Sequence, residues 1–150
     1  MSIFSDFFSS KDKSPNVSSP VLSCLFLDDE RFPPRDGRSW AVARNVPEAI
    51  DWVIDNGFPD YISFDHDLGE DALTGFDFAN WLINLDLDHG TMPDAFSFVV
   101  HSQNPVGAEN IRNVINNYLN YRKQEKDLGN PWPPLLNGGE LSSGPSSPGM

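Results

Sequence analysis

The chain reads as an α/β domain built on an open parallel sheet of about four strands, in the order 2-1-3-4. Three observations lead there. Short apolar runs alternate with segments of 3.6-residue apolar period, and such alternation implies right-handed crossovers on a parallel sheet. The run Val21–Leu27 is apolar almost throughout rather than at every second residue, as expected of a strand buried on both faces. With 150 residues, 39% of them hydrophobic, the chain can fill one core.

The elements follow in order. Val21–Leu27 is the first strand, and Cys24 lies inside it as core filler rather than as a reactive thiol. Trp40–Ala43 is a second, weaker candidate. Only Asp28–Ser39 separates the two, and Pro33, Pro34 and Gly37 within that stretch argue against a crossover helix. Asn45 caps the next helix, with Glu48 at capping-box spacing. Val46, Ala49, Ile50, Val53 and Ile54 form its apolar face, and Gly57 and Pro59 end it. Tyr61–Phe64 is the third strand. Thr74 caps a helix carrying Phe78, Trp81, Leu82 and Leu85, and Pro93 breaks the chain after it. Phe96–Val100 is the fourth strand. Asn104 and Pro105 open the last helix, whose buried stripe is Ala108, Ile111, Ile115, Tyr118 and Leu119.

Composition narrows the function. Ten Lys and Arg against 22 Asp and Glu give a net charge of −12, which excludes a protein held to nucleic acid by a global positive field. A phosphate has to be met at a local site, with a cation between acid and phosphate. A single cysteine excludes an internal disulfide and suits a reducing, cytoplasmic compartment. No apolar run approaches the ~20 residues of a membrane span, and Lys11 and Lys13 follow the N-terminal hydrophobes, unlike a signal peptide. Residues 1–20 read as a flexible leader, within which Phe4, Phe7 and Phe8 stand at helical spacing and leave packing, a partner or no role open. The domain is placed at residues 21–127. Residues 128–150 read as a Pro/Gly/Ser-rich tail, stiff and extended at Pro131–Pro134 and disordered from Asn137.

Three strands end in reactive groups: Asp28-Asp29-Glu30-Arg31, Asp65-His66-Asp67, and His101-Ser102-Gln103-Asn104. Ligands of open parallel sheets bind beyond the carboxyl ends of the strands, so these three clusters are expected to meet at one edge. Asp28, Asp29 and Asp65 are candidate ligands for a hard divalent ion, Mg²⁺ first, with Mn²⁺ or Ca²⁺ as alternatives. The plainer reading is a solvated acidic loop with one raised carboxyl group. His66 and His101 fit a general acid and base, or a metal ligand, or a hydrogen bond within a loop. His89, in a polar loop, receives no role. Ser102, Asn104 and the start of the last helix form a candidate anion cradle, with Gly107 admitting a ligand or a neighbouring backbone. Arg31 and Arg44 are candidate phosphate clamps, whereas Arg35 and Arg38 read as surface ion pairs.

Taken together, Leu25-Phe26-Leu27-Asp28-Asp29-Glu30-Arg31 with Pro33-Pro34, Ile62-Ser63-Phe64-Asp65-His66-Asp67-Leu68-Gly69, Thr74-Gly75, and Val100-His101-Ser102-Gln103-Asn104-Pro105-Val106-Gly107 resemble the cyclic-phosphate processing receiver domain family, over about residues 21–120. The resemblance implies a receiver-like (flavodoxin-like) fold. It implies Asp28 and Asp29 at the receiver Mg²⁺ position, Asp65 at the position of the phosphorylated aspartate, and Ser102 near the receiver hydroxyl. His66, Asp67 and His101 match the cyclic-phosphate family rather than ordinary receivers, and Asp67 joins the candidate metal set on that basis. Two departures stand out. The first crossover helix is missing, and no fifth strand with its terminal lysine follows the last helix, where Lys123 and Lys126 lie instead.

The expected function is metal-assisted hydrolysis of a cyclic phosphodiester, such as a 2′,3′-cyclic phosphate at an RNA end or on a nucleotide. Asp28, Asp29 and Asp65 would hold the ion. His66 and His101 would move protons, and Ser102, Asn104, Arg31 or Arg44 would hold phosphate oxygens. Asp65 as a covalent nucleophile is a variant. The rivals are a signalling receiver phosphorylated at Asp65, and a non-catalytic module binding a nucleotide or protein at the same edge.

Overall fold

Four short strands pair in parallel: β1 (Cys24–Leu27), β2 (Trp40–Ala43), β3 (Tyr61–Phe64) and β4 (Ser97–Val100), in the spatial order β2-β1-β3-β4. Three helices follow β2, β3 and β4: α1 (Val46–Asn56), α2 (Gly75–His89) and α3 (Pro105–Asp127). These coordinates come from a computed structural model that describes residues 21–134. The order and the missing helix between β1 and β2 match the expectation, and the fold is a receiver-like α/β fold. The Phe4, Phe7, Phe8 stripe and the tail from Asn137 lie outside the described residues.

The register explains where the core sits. Leu25 pairs with Ala41 and Ile62, and Leu27 with Ala43 and Phe64. Because side chains alternate across a strand, these rows share one face. Val46, Ala49 and Val53 of α1, Phe78 and Leu82 of α2, and Ile111 and Ile115 of α3 join them in one buried cluster. All three helices therefore cover the same face.

The opposite face carries Cys24, Phe26, Trp40, Val42, Tyr61, Ser63 and Val99, and no helix among the described residues packs on it. β1 is still buried on both sides, as expected, because aromatic side chains lie over it. Phe26 is 4% exposed beneath the rings of Trp40 and His101. At the edges the cover thins, and Val42 and Val99 are 41% and 43% exposed. The first strand is also shorter than its apolar run. Val21 and Leu22 precede the first pairing and face solvent.

Caps account for the helix starts. Asn45 accepts from the Glu48 N–H, yet the Glu48 carboxylate reaches the Arg44 N–H rather than that of Asn45, so the expected reciprocal box is displaced by one residue. Thr74 and Asp77 form a complete box. Asn104 accepts from the Gly107 N–H.

Past α3 the chain turns back. The Trp132 indole N–H donates to Asp86 Oδ2 at 3.1 Å, and its ring meets Tyr118, Tyr121 and Arg122. Asp86, fully buried, also accepts from Tyr118, Arg122 and the Met92 N–H. Ordered packing thus continues beyond Asp127, through a buried polar hub that apolar periodicity does not reveal.

Candidate functional site

The sheet ladder runs one residue past each of three strands. Asp28 N–H donates to Ala43, Asp65 N–H to Leu27 and His101 N–H to Phe64. With Arg44, which follows β2, these residues make one cross-strand row on the helix-free face, two residues beyond Phe26, Val42, Ser63 and Val99. A row of this kind explains how groups 73 residues apart converge. One ligand atom each from Asp28, Asp65 and His101 lies within 4.8 Å of the others.

Asp28 is fully buried and saturated with donors. Its Oδ1 accepts from the Glu30 and Arg31 N–H groups at 2.9 and 2.7 Å, and Oδ2 meets His101 Nε2 at 2.8 Å and Arg31 Nε at 3.2 Å. Burial alone would raise its pKa. The two N–H groups, His101 and the Arg31 charge outweigh it and hold Asp28 below the usual carboxylate range. An ionised carboxylate only accepts, so His101 Nε2 carries a proton toward Asp28, and on the other side of the ring Nδ1 is hydrogen-bonded with Ser63 Oγ at 2.7 Å. The imidazole is stacked flat on Phe26, with ring centroids 4.7 Å apart.

Asp65 behaves in the opposite way. It is 4% exposed. Burial and the Asp28 charge raise its pKa, against a weaker pull from Ser102, His101 and Arg31. Arg31 spans the pair, with Nη2 at 3.9 Å from Asp65 and Nη1 donating to the His101 carbonyl at 3.2 Å. Beside them opens a cavity of about 410 Å³ lined by Asp29, Glu30, Arg31, Asp65, Asp67, Gly69, Ser102 and Gln103.

The other expected site residues divide. Asp29 is exposed at the cavity wall and stands outside the three-residue cluster. Asp67 also lines the cavity outside the cluster; it accepts from Asn104 Nδ2 and sits 2.8 Å from His66 Nδ1. His66 and Asn104 hold its pKa down. Asn104 is occupied at both ends, by Gly107 and Asp67, so its amide ties loop to helix. Ser102 lines the cavity, and its Oγ accepts from the Asn104 N–H at 3.1 Å.

Two further expected site residues are engaged within the protein. Gly107 presents no opening to a ligand: a Cβ there would lie 2.3 Å from His66 Cγ, so the missing side chain is where the His66 ring rests. Arg44 is not among the residues that line the cavity. Its guanidinium donates to the Asp28 and Arg31 carbonyls and covers the Phe32 ring, because the helix-free β1–β2 connection leaves those carbonyls without helical partners. Arg38 pairs with Asp36, as expected of a surface ion pair.

Ser63 and Phe26, which fix His101, were not expected as site residues. The signal was present: each stands two residues before a site aspartate in a strand, hence on the same face. Gly75 belongs with them, since a Cβ there would lie 2.0 Å from the Asp65 carbonyl oxygen.

The family described as "Cyclic-phosphate processing Receiver domain" matches residues 23–117. No curated protein matches the chain. Among solved structures, a yeast Spc42 trimeric coiled coil fused to another protein is similar with TM-score 0.45 and 19% identity, over 75% of this chain and 87% of that one. NtrX from Brucella abortus is similar with TM-score 0.40 and 16% identity, over 73% of this chain and 29% of that one.

Proposed function

The chain belongs to the cyclic-phosphate processing receiver domain family, and from that premise we propose that it hydrolyses a cyclic phosphodiester, a 2′,3′-cyclic phosphate on a nucleotide or RNA end, with a divalent cation. The observation that carries this reading is the convergence of Asp28, Asp65 and His101 within 4.8 Å beside an open cavity. Two buried carboxylates, one with its pKa raised by burial and by the charge of the other, form a donor set that suits Mg²⁺, and the imidazole also admits Mn²⁺. Bound there, the cation supplies Lewis-acid polarisation of the phosphate and a more acidic water.

The residues divide the remaining work. Asp28, Asp65 and His101 hold the ion. Ligation by His101 Nε2 requires its proton to sit on Nδ1, and the Ser63 hydroxyl can accept from it there as readily as donate. Arg31 and Ser102 meet phosphate oxygens at the cavity wall, and Asp29 lies beside them. His66 moves protons through Nε2, because Nδ1 is taken by Asp67, which orients the ring. Water oxygen forms the new P–O bond and one ring P–O bond breaks. The water's proton is lost and the freed hydroxyl oxygen gains one, so a phosphomonoester results with one water consumed.

The test is hydrolysis of adenosine 2′,3′-cyclic phosphate and of a cyclic-ended oligonucleotide with Mg²⁺ or Mn²⁺. Turnover that stops with chelator, with Asp65→Asn and with His101→Ala supports the reading; metal-independent turnover, or none with either substrate, overturns it. Phosphorylation of Asp65 is a second reading, favoured by its place on the cavity wall beside Ser102. Against it, the lysines among the described residues, Lys123 and Lys126, are paired with Asp127 and Asp94 on α3 and the loop before β4. Stable labelling by acetyl phosphate without turnover of cyclic ends would select it.

A further inference from the structure

We propose that Phe32 is the stacking platform for the nucleobase of the substrate, an inference that rests on the reading above and extends it to which cyclic phosphates are taken. Among the described Phe, Tyr and Trp residues Phe32 is the one left open to solvent, at 82% exposure; every other is half-buried or buried. A single exposed apolar side chain is ordinary on a protein surface, and it is the position of this ring that distinguishes it. It directly follows Arg31, whose guanidinium spans Asp28 and Asp65 at the cavity wall.

The ring is also held. The Arg44 guanidinium lies over it at 5.3 Å, and Arg44 is itself fixed to the Asp28 and Arg31 carbonyls. Pro33 restricts Phe32 to extended backbone and, with Pro34, stiffens the segment that follows. A preorganised aromatic loses little entropy when a ligand stacks on it. Charge favours a base over a second phosphate as the group recognised here. The nearby cations are engaged, Arg31 with two carboxylates and Arg44 with two carbonyls, and Asp29 and Glu30 make the adjoining wall acidic. A neutral, flat, polarisable group meets no repulsion there and gains a π-face.

The test is calorimetric titration of the full chain in Mg²⁺ with adenosine 2′,3′-cyclic phosphate and with glycerol 1,2-cyclic phosphate, which has the ring phosphate and no base. Wild type should bind the adenosine ligand more tightly. Phe32→Ala should weaken that ligand on the order of 10-fold and leave the glycerol ligand unchanged, and Phe32→Trp should restore the preference. Equal binding of the two ligands by wild type, no loss in Phe32→Ala, equal loss for both ligands, or binding of neither overturns the proposal. Turnover is read separately: a base preference that depends on Phe32 without hydrolysis overturns the hydrolytic reading and leaves the platform standing.

Discussion

Two aspartates of one row differ because of what points at them. Asp28 collects four donors, and Asp65 faces Asp28 with fewer. Asp28→Ala should therefore cost roughly 3–5 kcal/mol, since it leaves His101, Arg31 and two N–H groups without their buried acceptor. Asp65→Asn should instead raise the melting temperature, because it removes a buried like charge. Added Mg²⁺ should stabilise wild type and leave Asp65→Asn unmoved, and thermal melts in Mg²⁺ and in chelator check both statements. Gly107 offers a test of the His66 nest. Gly107→Ala gains helix propensity but pushes Cβ into the imidazole, and overpacking of roughly 1–3 kcal/mol should dominate, with a displaced His66 resonance in NMR. At this scale the site's chemical identities were legible, because strand-end acids and histidines are rare enough to notice. Partnerships were not. Sequence cannot say that Asn104 faces Asp67 rather than a ligand, since that depends on loop paths and not on periodicity.

The β1–β2 connection does without a helix, and its side chains take over the helix's work. Asp28 caps the turn, Arg44 gathers two carbonyls, and Arg31 reaches back over the row. Arg44→Ala should lower stability by about 1–2 kcal/mol and raise amide hydrogen exchange selectively across residues 28–34, while α2 and α3 keep their protection. Elements were the most readable level. Trp40–Ala43 and Tyr61–Phe64 stand at the residues expected, and Thr74 and Asn104 cap as expected, because period and cap chemistry are local. The misses were local competition of another kind: Arg44 drew the Glu48 carboxylate away from the Asn45 N–H.

For the molecule as a whole, the long final helix is pinned by Asp86. Tyr118 donates to it at 2.6 Å, and burial, that bond and the Asp86 charge all raise the Tyr118 pKa. In the folded state Tyr118 keeps its proton above its ordinary pKa of 10.0, whereas the unfolded chain loses it. Stability should therefore fall as pH rises beyond about 10, by roughly 1.4 kcal/mol per pH unit for this group. Denaturant melts of wild type and Tyr118→Phe from pH 8 to 11 check it, with a shallower slope in the variant. Sheet order was readable from alternation and connection length. The hub was not, because a lone Asp86 in an amphipathic helix looks like a surface residue until Arg122 and Trp132 arrive from more distant sequence.

The cross-strand row carries one more implication. A slip of one residue in any strand would turn its member of the quartet Asp28, Arg44, Asp65 and His101 toward the helices. The row therefore depends on the register of every strand, and loosening of the β4 edge would lift the imidazole off the Phe26 ring. Proton chemical shifts of that imidazole, displaced by the aromatic current beneath it, would then serve as an internal gauge of whether a given preparation is intact.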